Sequence, residues 1–185
     1  MMPGSCTKLT MLGASLLAAI GCAGGPPHDI GAARITGELS LLRQVTRAFH
    51  VLDSAVAAGY PRTVRNCLVH QHHGAMGFHH LNAALLDAEA RIEKPEILLY
   101  ELTGDGRYVL NGVEFIVPYT FWARDSVPPV LMGQSLRRED NLRFWYLHVW
   151  AWKENPDGPF ADFHPAVSCP DSARRVFIPS AESAR

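Results

Sequence analysis

One stretch constrains the fold of this chain more than any other: Phe144-Trp145-Tyr146-Leu147-His148-Val149-Trp150-Ala151-Trp152. Alternation along an extended strand sends Tyr146, His148, Trp150 and Trp152 to one side and Trp145, Leu147, Val149 and Ala151 to the other. Both sets are apolar except for one imidazole. The pattern predicts a strand covered on both faces. A polar ring inside that much apolar surface needs a partner, because an unpaired buried polar group costs a few kcal/mol. The identity of that partner is the functional question.

Export is written at the other end of the chain. Lys8 precedes an apolar run, Leu9 to Ile20, that is short for a bilayer span and fits the core of a signal peptide. The run leads into Leu17-Ala18-Ala19-Ile20-Gly21-Cys22, whose small residues before a cysteine resemble a bacterial lipobox. Cleavage before Cys22 and a lipid on its sulfur are expected, with ordinary secretion and a later cleavage as the alternative. The domain plan is then a lipoprotein signal peptide over 1–21, a tether over 22–35, one globular domain over 36–170 and a flexible tail over 171–185. The expected location is the cell envelope, on a membrane through the lipid anchor, facing periplasm or cell exterior. A net charge of −1 argues against a nucleic-acid partner, which would favour a basic stripe.

The four cysteines agree with export. Cys6 leaves with the signal and Cys22 takes the lipid. Cys67 and Cys169 remain as an even pair in an oxidising compartment, which predicts a disulfide. Such a bridge closes a loop of about 100 residues, worth about 4 to 5 kcal/mol in the chain-entropy view. The alternative is two free thiols serving as ligands.

Between these features, Leu42, Val45, Phe49, Leu52 and Val56 recur at steps of three and four, which predicts one helix over Thr36 to Ala58, stopped by Gly59 and Pro61. Cys67 to Asn82 holds five of the nine histidines and two glycines, and reads as a loop or irregular strand before a short helix, Ala83 to Ala90, capped by Asn82. Ile97 to Leu102 and Arg107 to Val117 flank the turn Thr103-Gly104-Asp105-Gly106 and predict a hairpin with a bulge at Gly112. Pro118 to Asn141 reads as a covering loop. The expected fold class is α+β: a long N-terminal helix packed on a small, mainly antiparallel sheet, with one disulfide.

Several motifs occur in order: Met76-Gly77-Phe78-His79, Lys94-Pro95-Glu96-Ile97-Leu98-Leu99-Tyr100, Val113-Glu114-Phe115, Leu147-His148-Val149-Trp150-Ala151-Trp152, Asn155-Pro156-Asp157-Gly158-Pro159-Phe160 and His164-Pro165-Ala166-Val167-Ser168-Cys169. Together they resemble a family of uncharacterised, exported bacterial proteins, over roughly Cys67 to Cys169. The resemblance implies position rather than chemistry. It places His79, Glu114 and His148 on motif positions and matches Cys67 and Cys169 to the family's cysteines. His80, His164 and Ala83 depart from the tyrosine, asparagine and proline usual there. His70, His72 and His73 are an addition that the resemblance does not explain.

Two imidazoles and a carboxylate, His79, Glu114 and His148, suit zinc, iron or manganese and leave coordination positions open. If the strands of Glu114 and His148 are antiparallel neighbours, facing residues bring their Cβ atoms within about 5 Å. Glu114 then serves as a ligand or, off the metal, as a general base. The competing reading is a structural Glu–His pair that holds the sheet together. His70, His72 and His73 suit surface capture of copper or zinc, or are solvated loop residues. On an extended chain His79 and His80 point to opposite faces, so only His79 is expected in the site. His164 reads as a turn residue. The expected function is a metal-binding envelope protein, with a metalloenzyme as its catalytic form. The rival class is a non-catalytic lipoprotein that binds a small ligand or a partner protein.

Overall fold

A computed structural model describes residues 30–61, 66–170 and 174–178. The signal peptide, Cys22 and residues 22–29 of the tether lie outside the described residues. Among those described, no helix is long and apolar enough to cross a membrane.

The fold is mostly sheet. The expected arrangement of a long helix on a small sheet is overturned, because the sheet curls into a six-strand antiparallel half-barrel that carries most of the core. The chain first forms α1 (Ile30–Thr46), a 3-10 turn (Arg47–His50) and α2 (Leu52–Ala57). Val51 breaks the predicted continuous helix by going extended, at φ −91° and ψ 107°. The apolar stripe is real but only partly used. Leu42 and Leu52 are buried, whereas Val56 stays 39% exposed. The helical segment docks just beyond the aromatic strand, where Trp152 Nε1 donates to Thr46 Oγ1 at 3.0 Å.

The strands follow as β1 (Asn66–His70), β2 (Gly74–Leu81), β3 (Ile97–Leu102), β4 (Tyr108–Pro118), β5 (Val130–Leu131), β6 (Gln134–Ser135), β7 (Arg137–Glu139), β8 (Phe144–Val149) and β9 (Arg174–Ile178). The main sheet runs β7-β8-β4-β3-β2-β1-β9, and β5–β6 is a separate small hairpin. All neighbours in the main sheet are antiparallel except β1 and β9. Thus Arg174–Ile178, within the stretch read as a tail, lies alongside β1, and the segment read as a covering loop contributes β5, β6 and β7. Ala83–Leu85 makes only a short 3-10 turn, with Asn82 accepting the Ala84 N–H as its cap.

Cys67 to Asn82 forms a strand hairpin with a register shift between Leu68 and Val69, so of the two expectations the irregular strand holds and the loop does not. Its glycines follow from close backbone approach. At Gly77, φ is +89° and a Cβ would fall 2.4 Å from the Tyr100 carbonyl oxygen. At Gly74, φ is +87° and a Cβ would fall 2.2 Å from the His164 carbonyl oxygen. Only glycine tolerates that combination. The absence of a side chain at Gly74 also lets Ala75 pair with His164, which holds the 160–169 segment against β2. A bulge is present one residue before the expected Gly112, since the β3–β4 register skips Asn111 between the pairs Leu99–Gly112 and Tyr100–Leu110. Cys67 and Cys169 form a disulfide with Cα atoms 5.7 Å apart.

The sheet has two unequal faces. Leu98, Tyr100, Val113, Phe115, Leu147 and Val149 point into the main core with Leu42 and Leu52. On the opposite face Ile97, Leu99 and Ile116 form a small second cluster, flanked by Leu81, Leu86, Phe144 and Tyr146. The regular alternation of the aromatic stretch stops at Val149, where β8 ends, so Trp150 joins the main core instead of following His148.

Candidate metal centre

The small-cluster face carries the polar residues. Glu114 on β4 pairs directly with His148 on β8, so both side chains rise from the same face. His79 sits two strands from Glu114, on β2, beyond β3. Its cross-strand partner Leu99 and Glu114's partner Ile97 both belong to the small cluster, which puts His79 on that same face. Strand spacing leaves about 9 to 10 Å between the β2 and β4 backbones. The two long side chains span that gap above β3.

The donors converge. His79 Nε2 lies 3.5 Å from Glu114 Oε2, and His148 Nε2 lies 3.5 Å from Glu114 Oε1. One ligand atom from each residue fits within 4.8 Å of the others. Among the described residues this is the group of His, Cys, Asp or Glu that meets that condition. Tetrahedral coordination with bonds of about 2.0 to 2.2 Å has donor–donor edges of about 3.3 to 3.6 Å. Each imidazole already lies at that distance from Glu114, His79 from Oε2 and His148 from Oε1. The site is nearly dry: His148 is 1% exposed, Glu114 7% and His79 16%.

Sequence reasoning missed a fourth member, Asp162. Its Oδ1 lies 3.5 Å from His148 Nδ1, on the far side of the ring from Glu114. Asp162 is itself held by Arg137 Nη2 at 2.9 Å and by the Tyr146 hydroxyl, which donates to Oδ2 at 3.3 Å. A lone aspartate between aromatics in a loop has no motif. The available signal was the imidazole itself, since a buried ring has two nitrogens and Glu114 serves only one of them.

Electrostatics separates the two histidines. Burial pushes the His148 ring toward its neutral form, but Glu114 and Asp162 flank it and hold its pKa well above the usual imidazole value. Burial also lowers His79, and there the single carboxylate of Glu114 does not offset it. Burial raises the Glu114 carboxyl, but His148 and then His79 more than reverse this and keep it ionised. Asp162 is likewise penalised by burial and kept ionised by His148 and Arg137. His79 therefore presents a free lone pair at neutral pH. His148 must release a proton to bind a cation. Both ring nitrogens of His148 and Nδ1 of His79 are buried without a hydrogen bond of ordinary geometry. Buried polar atoms left in that state are uncommon, and an ion in contact with them is one way to satisfy them.

The other histidines go elsewhere. His80 turns to the main-core face, buried against Tyr100 with ring centroids 4.7 Å apart. His164 is buried in its turn, accepting the Ala166 N–H on Nδ1 at 3.0 Å, with Nε2 2.8 Å from the Glu154 carbonyl. His70 is buried too, which corrects the picture of three equivalent loop histidines. Its Nδ1 accepts the N–H groups of His72 and His73 at 3.1 and 3.2 Å. A neutral ring whose Nδ1 is an acceptor carries its proton on Nε2 and offers no lone pair to a metal. Only His72 and His73 stay exposed at the turn.

Compared with models of protein families, with curated proteins and with solved structures, the chain matches none. The case for the site therefore stands on its own geometry.

Proposed function

We propose that this protein is an exported, lipid-anchored envelope protein that binds one divalent transition metal ion through His79, Glu114 and His148. The observation that carries the reading is the convergence of three donors from three strands, with Glu114 placing Oε2 3.5 Å from His79 and Oε1 3.5 Å from His148. Two nitrogens and one carboxylate fit zinc, iron(II) or manganese, with copper as a further candidate, and leave a position for water or a ligand. Such a cation supplies Lewis acidity at a nearly dry site. Glu114 sits between the rings, which favours the role of ligand over that of a detached general base. Location rests on Lys8, the apolar run Leu9 to Ile20 and the lipobox-like approach to Cys22.

One preparation tests both parts. The full chain, without a histidine tag, is extracted with detergent from the membrane fraction, and its metal content is measured before and after reconstitution. About one equivalent is expected, lost on His79→Ala. Less than about a tenth of an equivalent of any transition metal after reconstitution rejects the metal reading and leaves a structural ion-pair network. Recovery of the mature protein in the soluble fraction rejects the anchor.

A further inference from the structure

Beyond its three donors, the centre shows a residue whose contacts make sense only through another side chain. His148 is approached from both edges. Nε2 faces Glu114 at 3.5 Å and Nδ1 faces Asp162 at 3.5 Å. A neutral imidazole that binds a metal through one nitrogen carries its proton on the other. An acceptor there fixes both the tautomer and the ring orientation. Asp162 is placed to be that acceptor.

Its own support is tight. Arg137 contacts Oδ1 and the Tyr146 hydroxyl donates to Oδ2, so the carboxylate is gripped at both oxygens. Arg137 also donates to the Phe160 carbonyl at 2.7 Å and lies over the Tyr146 ring at 5.4 Å. The backbone around Asp162 is pinned as well. Trp150 Nε1 donates to the Ala161 carbonyl at 2.7 Å, and Asn155 Nδ2 donates to the Phe163 carbonyl at 2.8 Å. Asp162 belongs to a loop, yet both its carboxylate oxygens and the backbone on either side of it have partners. A surface ion pair with Arg137 alone would not require this, because Arg137 is 42% exposed and could find an acid at the rim.

We propose that Asp162 is a positioning residue: it holds the Nδ1 edge of His148 so that Nε2 points to where His79 and Glu114 meet. The inference rests on the metal reading above.

The test uses cobalt(II) and zinc(II) as probes on the full, tag-free protein. Affinity is read by competition with a chromophoric chelator, and geometry by the visible spectrum of the cobalt-saturated form. Asp162→Asn is expected to weaken zinc binding about 10- to 100-fold and to shift the cobalt spectrum. Asp162→Glu is expected to recover part of the affinity. Arg137→Gln leaves the carboxylate facing His148 and is expected to cost less than Asp162→Asn. Affinity within twofold of the parent and an unchanged cobalt spectrum for Asp162→Asn overturn the positioning role while leaving the metal site intact. Failure of the parent protein to bind either probe overturns the metal reading itself, and the role of Asp162 with it. If Asp162→Asn does not fold, Tyr146→Phe takes its place. It frees one carboxylate oxygen and is expected to lower affinity severalfold, with no change counting against the proposal.

Discussion

Two buried glutamates, Glu114 on β4 and Glu96 just before β3, meet opposite fates. Glu114 and Glu96 are both buried, so water screens neither. Burial raises the pKa of both. Glu114 has two imidazoles against its oxygens, and their attraction lowers it into the ionised form. Among the described residues no cation forms an ion pair with Glu96. Desolvation dominates, the Ile116 N–H opposes it, Asp87 and Arg91 pull in opposite directions, and the pKa settles at about 8. Its carboxyl accepts the Ile116 N–H at 3.0 Å, a donor that β4 presents just past the start of β3. Depth alone therefore does not make a buried acid functional. The charges brought to it by distant strands decide between a neutral buried acid and an ionised candidate ligand.

The largest effect that can break this comparison comes from removing a cation. His148→Ala leaves Glu114 and Asp162 as buried negative charges short of their shared partner. Breaking a buried pair this way costs about 3 to 5 kcal/mol. Urea unfolding of the metal-free protein should show that loss. A change below about 1 kcal/mol would mean that Glu114 does not depend on the ring.

Glu96→Gln sharpens the other half. Below about pH 4.5 both folded and unfolded chains hold the Glu96 proton. Above it the unfolded chain releases the proton while the native state keeps it until about pH 8. The native form thus binds more protons across that window, and stability falls as pH rises through it, by up to about 1.4 kcal/mol per pH unit. The variant lacks this slope. It should gain on the parent between pH 5 and pH 8, and parallel unfolding profiles would show that Glu96 is ionised in the fold.

The smallest effects concern the histidine-rich turn. His70→Ala strands two backbone N–H groups and should cost about 1 to 3 kcal/mol. The exposed pair, His72→Ala with His73→Ala, should stay within about 0.5 kcal/mol. Equal melting temperatures for the two variants would return His70 to the solvated loop.

These contrasts show why the site was only half legible. A histidine count singled out Cys67 to Asn82, yet four of its five imidazoles lie away from the converging donors. Strand alternation correctly sent His79 and His80 to opposite faces, because the period of two is local. It could not tell that Glu114 would find His79 across an intervening strand, nor that Asp162 would return to the back of His148. The glycines that argued for a loop, Gly74 and Gly77, answer to carbonyls of His164 and Tyr100, which no window along the chain reveals.

What the sequence determined by itself were features set within a few residues or by elimination. The aromatic strand, the Thr103–Gly106 turn with its bulged return strand, and the pairing of Cys67 with Cys169 are of this kind. The tertiary structure alone decided how large the sheet is, where the helix breaks, which nitrogen of each imidazole is free and which carboxylate keeps its charge. Those outcomes depend on strand register and on the distance between charges in a medium that screens them poorly. Both are properties of neighbours in space, far apart along the chain.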